Sequence, residues 1–348
     1  MSDHTRRRTE ERPLSIVLLI LLLTLIQACS ATEFAGNVIS PAASMKPLVQ
    51  RPIGSPTVRI ILTPTLTPTV ELPPTHTPHP SVTPTITPTS IPIPIPCQSP
   101  GQILTGNYYS YLAGQQLPYR IYLPPCYGLD GHAYPTLYML HGGSYTDQHW
   151  DDLGLDETAE MGIIDGLLPP LLIIMPDGGT MVDSTSGGPN SYEGVVMNEL
   201  IPFIETNYCA IPDGEYRAIG GISRGGYWSL EIAFRFPQMF ASVGGHSAAL
   251  LDTFAGRDIN PQYTGIYNDL ADLRVYLDIG IDDWVINNIR RLHEEMLAAG
   301  KNHTWALNQG KHEDAYWSNN LKDYLIWYTL PWPLERDPYP PCLIDGPG

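Results

Sequence analysis

Gly220-Gly221-Ile222-Ser223-Arg224-Gly225-Gly226 is the stretch whose reading decides the fold. It contains Gly221-x-Ser223-x-Gly225, the spacing of a nucleophile elbow, in which a serine sits on a sharp turn between a strand and a helix. A serine hydroxyl is a weak nucleophile at neutral pH and needs a base within hydrogen-bond reach. The turn lifts it to where a histidine can approach. Glycines two residues before and two after relieve the crowding, because they carry no Cβ. The flanks agree with this reading: Tyr216 to Ile222 is strand-like, and Gly225 to Phe236 is helix-like. Ser223 is thereby the expected nucleophile of a hydrolase or an acyltransferase. The competing reading is a glycine-rich turn carrying a surface serine, so the surroundings have to decide.

Outward from the elbow, short apolar runs alternate with helix-like segments. Strands are expected at 103–113, 117–124, 136–140, 171–175, 241–245, 273–279 and 303–308. Helices are expected at about 192–207, 284–299 and 313–329, with Gly300 as a C-terminal cap. Strands alternating with helices imply an α/β fold with a mostly parallel sheet covered on both faces. Ligands of such sheets bind outside the carboxyl ends of the strands. Each chemically suggestive cluster follows an expected strand: His141-Gly142-Gly143, Pro176-Asp177-Gly178-Gly179, Ser223, Asp282-Asp283 and His312.

The order serine, acid, histidine expected in this architecture prunes the ten histidines. Beyond the acid lie only His293, His303 and His312. His293 falls inside an expected helix, and His303 precedes the last strand at the wrong edge. His312 follows that strand and is the expected general base. Asp282 and Asp283 both follow the penultimate strand. Asp283 is the preferred acid and Asp282 the alternative, with an ordinary helix N-cap as the structural role for one of them. Asp278, within the strand, is a weaker rival. An oxyanion needs backbone N–H donors. Arg224, directly after the nucleophile, is expected to supply one, and Gly143 in the glycine loop the other, with the His141 side chain bracing that loop. The stretch 250–272, with Phe254, Tyr263 and Tyr267, is expected to be irregular, either walling a pocket or packing on the surface.

The remainder of the chain points outside the cytoplasmic membrane. Arg6, Arg7, Arg8 and Arg12 precede an apolar run, Leu14 to Ile26, too short for a comfortable span. Ile26-Gln27-Ala28-Cys29 resembles a lipobox, so residues 1–29 are expected to form a signal peptide and Cys29 a lipidated membrane tether. An uncleaved single-span anchor is the other reading. Residues 30–96 are expected to be a disordered linker: thirteen prolines lie between Arg51 and Cys97, many in Thr-Pro repeats. Extended at ~3.1 Å per residue, it reaches on the order of 100 Å. Residues 97–348 form the expected catalytic domain. Its four cysteines, Cys97, Cys126, Cys209 and Cys342, allow three pairings. A clasp of Cys97 to Cys342 with a second bridge of Cys126 to Cys209 is the expected one, as befits an oxidising compartment. No Cys/His spacing suits zinc. The net charge of −17 disfavours nucleic acid and anionic lipid headgroups as partners.

Taken as a set, Leu137-Tyr138-Met139-Leu140-His141-Gly142-Gly143, Ile174-Met175-Pro176-Asp177-Gly178, the elbow, Gly280-Ile281-Asp282-Asp283, and Gly310-Lys311-His312 with Trp317 resemble the esterase D-like family of α/β-hydrolases. That family includes feruloyl and acetyl-xylan esterases, S-formylglutathione hydrolases, siderophore esterases and mycolyltransferases. The resemblance spans roughly residues 103–330. It implies the α/β-hydrolase fold, Ser223, Asp283 and His312 as the triad, and two-step ester hydrolysis without metal or organic cofactor. The substrate implied is a small-molecule or polysaccharide ester. An acyltransferase, a siderophore esterase, or a catalytically silent binding module of the same fold are the alternatives.

Overall fold

The structure is a computed structural model that describes residues 98–251 and 255–344. The expected signal peptide, the lipidation site Cys29, the Pro/Thr-rich linker, Cys97 and Phe254 lie outside the described residues.

Eight strands form one sheet: β1 (Gln102–Ser110), β2 (Gln115–Leu123), β3 (Thr136–Leu140), β4 (Leu172–Pro176), β5 (Arg217–Ile222), β6 (Ser242–His246), β7 (Arg274–Gly280) and β8 (Thr304–Asn308). Their spatial order is β1-β2-β4-β3-β5-β6-β7-β8. β1 and β2 form an antiparallel hairpin, β2 pairs antiparallel with β4, and every pair from β4 to β8 is parallel. This is the expected α/β-hydrolase arrangement. All residues of β3, β4, β5 and β6 are buried. That explains their mostly apolar or glycine-rich composition: a parallel sheet is covered on both faces.

Side chains alternate between the two faces. Leu137, Met139, Ile173, Met175 and Ala218 pack with Leu155 and Ala159 of the helix Leu155–Ile164, and with Tyr324, Leu325 and Tyr328 of the helix Asp314–Thr329. Tyr138, Leu140, Ile174, Ile219, Val243 and Leu277 pack with Tyr227, Leu230 and Phe234 of the elbow helix Arg224–Arg235. Ile289, Leu292 and Met296 of the helix Ile286–Ala298 complete that face. Each fully buried leucine or isoleucine contributes about 1.5–3 kcal/mol. The registers bring the strand ends together: Leu140 sits opposite Gly221, Ile222 opposite His246, and Gly280 opposite Asn308. The residues after β3, β5, β7 and β8 therefore meet at one edge.

Three local differences from the sequence expectation have physical causes. The helix Leu155–Ile164 makes the crossover between β3 and β4, which parallel pairing requires. The helical stretch from Tyr192 to Asn207 is interrupted by a π segment, Val196–Leu200. Pro202 lies just beyond it and has no N–H to continue the regular bonding. Within the stretch expected to be irregular, Pro261–Tyr267 is a helix, capped by the Asn260 side chain on Gln262 N–H.

The expected cysteine pairing is corrected. Cys209 bonds to Cys342, with Cα atoms 5.1 Å apart across 133 residues of chain. Residues 131–134 lie between the two: Ala133 N–H donates to Pro340 O, Cys342 N–H to Gly131 O, and Tyr134 N–H to Cys209 O. That pairing draws the C-terminal tail alongside Cys209 and rules out the expected Cys97–Cys342 and Cys126–Cys209 set. Cys126 is disulfide-bonded as well. Closing a loop this long restricts the unfolded chain, so replacing Cys209 and Cys342 together by serine is expected to remove about 2–5 kcal/mol of stability. Urea titration followed by tryptophan fluorescence reads this as a lower midpoint. A midpoint equal to that of the parent would show that the bond contributes nothing.

Candidate active site

The elbow is built as the glycine spacing requires. Ser223 adopts φ 54°, ψ −112°, a conformation that costs a non-glycine residue about 1–3 kcal/mol. Three backbone hydrogen bonds hold it there. Ser223 N–H donates to His246 O at 2.9 Å, and Ser223 O accepts from Tyr227 N–H at 3.0 Å and Ala249 N–H at 2.9 Å. A Cβ on Gly221 would lie 2.4 Å from the Gly225 carbonyl, and one on Gly225 would lie 2.3 Å from Leu140 O. Neither position admits any side chain without displacing backbone.

His312 reaches Ser223 from the loop after β8. Its Nε2 lies 2.9 Å from Ser223 Oγ, and its Nδ1 lies 3.0 Å from both carboxylate oxygens of Asp283. Nδ1–H donates to the carboxylate, which leaves Nε2 to accept the serine proton. The two loops are tied together: Ile281 N–H donates to Asn308 O and Asp282 N–H to Gly310 O. This tie turns the buried Asp283 side chain toward His312 while Asp282 stays exposed. Asp283 Oδ1 also accepts from Val285 N–H at 2.9 Å, so one residue both faces the imidazole and caps the following turn.

The other sequence candidates lie elsewhere. Asp278 is buried against His246, 2.6 Å from its Nδ1, and accepts from the hydroxyls of Tyr316 and Tyr324. His293 and His303 contact each other at 2.7 Å. Neither Tyr263 nor Tyr267 lines the cavity at Ser223.

The glycine loop after β3 lies against the elbow. A Cβ built on Gly143 would be 3.6 Å from the Arg224 Cβ, so the backbones of these two residues adjoin beside Ser223. Among the described residues no acceptor takes the Gly143 N–H. Arg224 opens the elbow helix, so its N–H belongs to the turn that lacks intrahelical acceptors. Its guanidinium is directed elsewhere. Nε donates to Val182 O at 2.9 Å, Nη2 donates to Thr185 O, and the group lies over the Tyr227 and Trp228 rings. Burial lowers its pKa from the ordinary arginine value. His141 braces the loop, as expected. Its Nδ1–H donates to Gly142 O at 2.7 Å, and Nε2 accepts from Gly178 N–H at 3.3 Å.

An open cleft of about 470 Å³ lies over Ser223. Its walls include Trp317, which belongs to the motif set around His312, and Tyr145, Trp284, His149 and Asp314, to which the sequence assigned no role in the site. Trp284, 68% exposed, and the buried Trp317 flank the His312 ring at 5.1 and 5.0 Å. Tyr145, 45% exposed, stacks on His149 at 3.7 Å. Asp314 forms part of the rim. The Gly142-to-His149 spacing was the available signal for the last group, but it acquires meaning only when the loop closes. Chemically, the arrangement can move the Ser223 proton to His312, hold the resulting imidazolium against Asp283, and present backbone N–H groups to an oxyanion.

Residues 110–328 match the family described as "Putative esterase". An esterase of Mycobacterium tuberculosis is 36% identical over 137 residues, covering 37% of this chain and 28% of the relative. An endo-1,4-beta-xylanase/feruloyl esterase of Xylanibacter ruminicola is 31% identical over 154 residues, covering 41% of this chain and 21% of the relative. The chain thus spans between a fifth and a third of the length of these curated relatives. Among solved structures, a ferulic acid esterase superposes with a TM-score of 0.61 at 23% identity, over 67% of this chain and 100% of that one.

Proposed function

The chain belongs to the putative esterase family, and on that premise we propose that it hydrolyses carboxylic esters through an acyl-Ser223 intermediate. The single observation that carries this reading is the continuous hydrogen-bonded line Asp283–His312–Ser223 at 3.0 and 2.9 Å. Ser223 Oγ attacks the ester carbonyl carbon as His312 Nε2 takes its proton. The Gly143 and Arg224 N–H groups receive the negative charge on the carbonyl oxygen. Collapse of the tetrahedral intermediate breaks the bond to the alcohol, which leaves with the proton from His312. Water, deprotonated by His312, then attacks the acyl carbonyl carbon; the bond to Ser223 Oγ breaks, Ser223 takes the proton back from His312, and the acid leaves.

The proposed substrates are extracellular esters such as feruloylated or acetylated polysaccharide. The aromatic walls Tyr145, Trp284 and Trp317 suit a flat acyl group, and an open cleft admits a bulky alcohol. The feruloyl esterase activity in the name of the Xylanibacter relative agrees with an aromatic acyl group. The basic, apolar leader and the Pro/Thr-rich stretch agree with export and tethering at Cys29. The test is turnover of p-nitrophenyl acetate, methyl ferulate and acetylated xylan by the full chain in isolated membranes, with a fluorophosphonate probe mapped by peptide mass spectrometry. Ester cleavage is expected, with one label per chain, on Ser223. No release of acid from any of these esters, or a label on another residue, would overturn the reading.

A further inference from the structure

We propose that His149 is a positioning residue that aims the Gly143 N–H at the reacting carbonyl, and that it does so only while its ring is neutral. The proposal rests on the reading of Ser223 as an acylating nucleophile. Its own support is a set of contacts that reading does not use. Gly142 N–H donates to His149 Nδ1 at 3.2 Å. Nδ1 must therefore carry a lone pair, and the ring proton sits on Nε2, 3.3 Å from Asp314 Oδ1. Tyr145 N–H closes a turn onto Gly142 O at 3.2 Å, and the Tyr145 ring lies nearly parallel to the imidazole, at 13°. Its hydroxyl is 3.4 Å from the same Asp314 oxygen. Gly142 is thus held on both sides: His149 fixes its N–H, in the peptide unit it shares with His141, while Tyr145 N–H and His141 Nδ1–H fix its C=O, in the peptide unit whose N–H is that of Gly143. Rotation of that unit is what would carry the Gly143 N–H away from Ser223.

Protonation reverses the first of these contacts. An imidazolium has N–H at both nitrogens, so Nδ1–H would face the Gly142 N–H, donor against donor. The groups around the ring are Asp314 from the final helix, Asp152 from the turn His149–Asp152, His141 at the end of β3, and Tyr145 and Trp317. The ring is 2% exposed, and burial lowers its pKa below the ordinary histidine value against the opposing pull of Asp314. The sign follows: the neutral form, and with it the aimed Gly143 N–H, persists at neutral pH and is lost as the pH falls through that lowered value. The acid side of the rate profile is therefore expected to carry a protonation that belongs to His149.

The experiment compares His149→Asn with His149→Phe in the full chain. An asparagine Oδ1 occupies the place of Nδ1 and accepts from Gly142 N–H without titrating; phenylalanine keeps a ring and loses the acceptor. For p-nitrophenyl acetate, His149→Phe is expected to lower kcat about 10- to 100-fold with KM within about threefold, part of the effect of deleting an oxyanion donor outright. His149→Asn is expected to recover most of that loss. Its acid limb should lack the protonation that belongs to His149 and be less steep than the parent's. Affinity for a phenylboronic acid, which mimics the tetrahedral oxyanion, is expected to fall in His149→Phe by the same factor as kcat/KM. Equal kcat in His149→Phe and the parent would overturn the proposal. If His149→Phe does not fold, an acid limb in His149→Asn identical to the parent's overturns it instead. Loss of Ser223 labelling in the parent would sink the nucleophile reading, an outcome separate from either.

Discussion

Ser223→Ala is expected to lower kcat/KM for p-nitrophenyl acetate by about 10⁴- to 10⁶-fold, leaving residual turnover from binding and the oxyanion donors. At ~1.36 kcal/mol per decade this is about 5–8 kcal/mol of transition-state stabilisation. Such an effect is informative only if the variant folds, and the elbow gives a reason to expect that it does. The bonds that hold residue 223 at φ 54° are made by its backbone, to His246, Tyr227 and Ala249. Its hydroxyl contacts only His312 among the hydrogen bonds described. Alanine keeps the Cβ and the backbone bonds, so the thermal midpoint should move by no more than a few degrees, since ~1 kcal/mol shifts Tm of a domain this size by about 2–4 °C. Hydrolysis and a circular-dichroism melt on the same preparation check both halves. Activity comparable to the parent's would remove Ser223 from the mechanism altogether.

Asp283→Asn is expected to cost about 10³- to 10⁴-fold in kcat, while Asp282→Asn changes kcat less than about threefold. The asymmetry comes from a loop, not from residue type. Asp283 is buried with both oxygens 3.0 Å from His312 Nδ1. An amide there can turn its NH₂ toward Nδ1, which moves the ring proton to Nε2 and closes the site that must accept the Ser223 proton. It also removes the charge that stabilises the imidazolium. The Val285 N–H still finds the amide oxygen, so the turn survives. Asp282 holds the loop through its backbone N–H to Gly310 O, a bond indifferent to its exposed side chain. Steady-state kinetics on the two variants decide. A larger loss from Asp282→Asn would assign the acid to the wrong neighbour.

The adjacency of the two aspartates also shows where the sequence stops being legible. Runs such as Thr136 to Leu140 and Leu171 to Met175 are largely apolar and are followed by His141-Gly142-Gly143 and Pro176-Asp177-Gly178. Their extent and their common edge are therefore legible in the sequence. Asp282 and Asp283 both follow β7; the family resemblance favours Asp283, but the physical distinction arises from hydrogen bonds to the β8 loop. The helix Leu155–Ile164 has no clear signature in the sequence because Met161 and Ile164 are exposed, which blurs the one-sided apolar pattern. His149 gains its partners only when the glycine loop folds back and the final helix brings Asp314. The Cys209–Cys342 bond depends on the tail running beside residues 131–134, a tertiary pairing with no periodic signature. Local chemistry was readable, and the contacts between distant loops were not.

Cys342 is also the last of the paired cysteines to be synthesised. With 133 residues between it and Cys209, the bond cannot close until β5, the elbow, both aspartates, His312 and the final helix have all left the ribosome. A chain interrupted anywhere before that point lacks the sulfur that pairs with Cys209 in the folded protein. The clasp is therefore a covalent record of completion: a molecule that carries this bond also carries Ser223, Asp283 and His312.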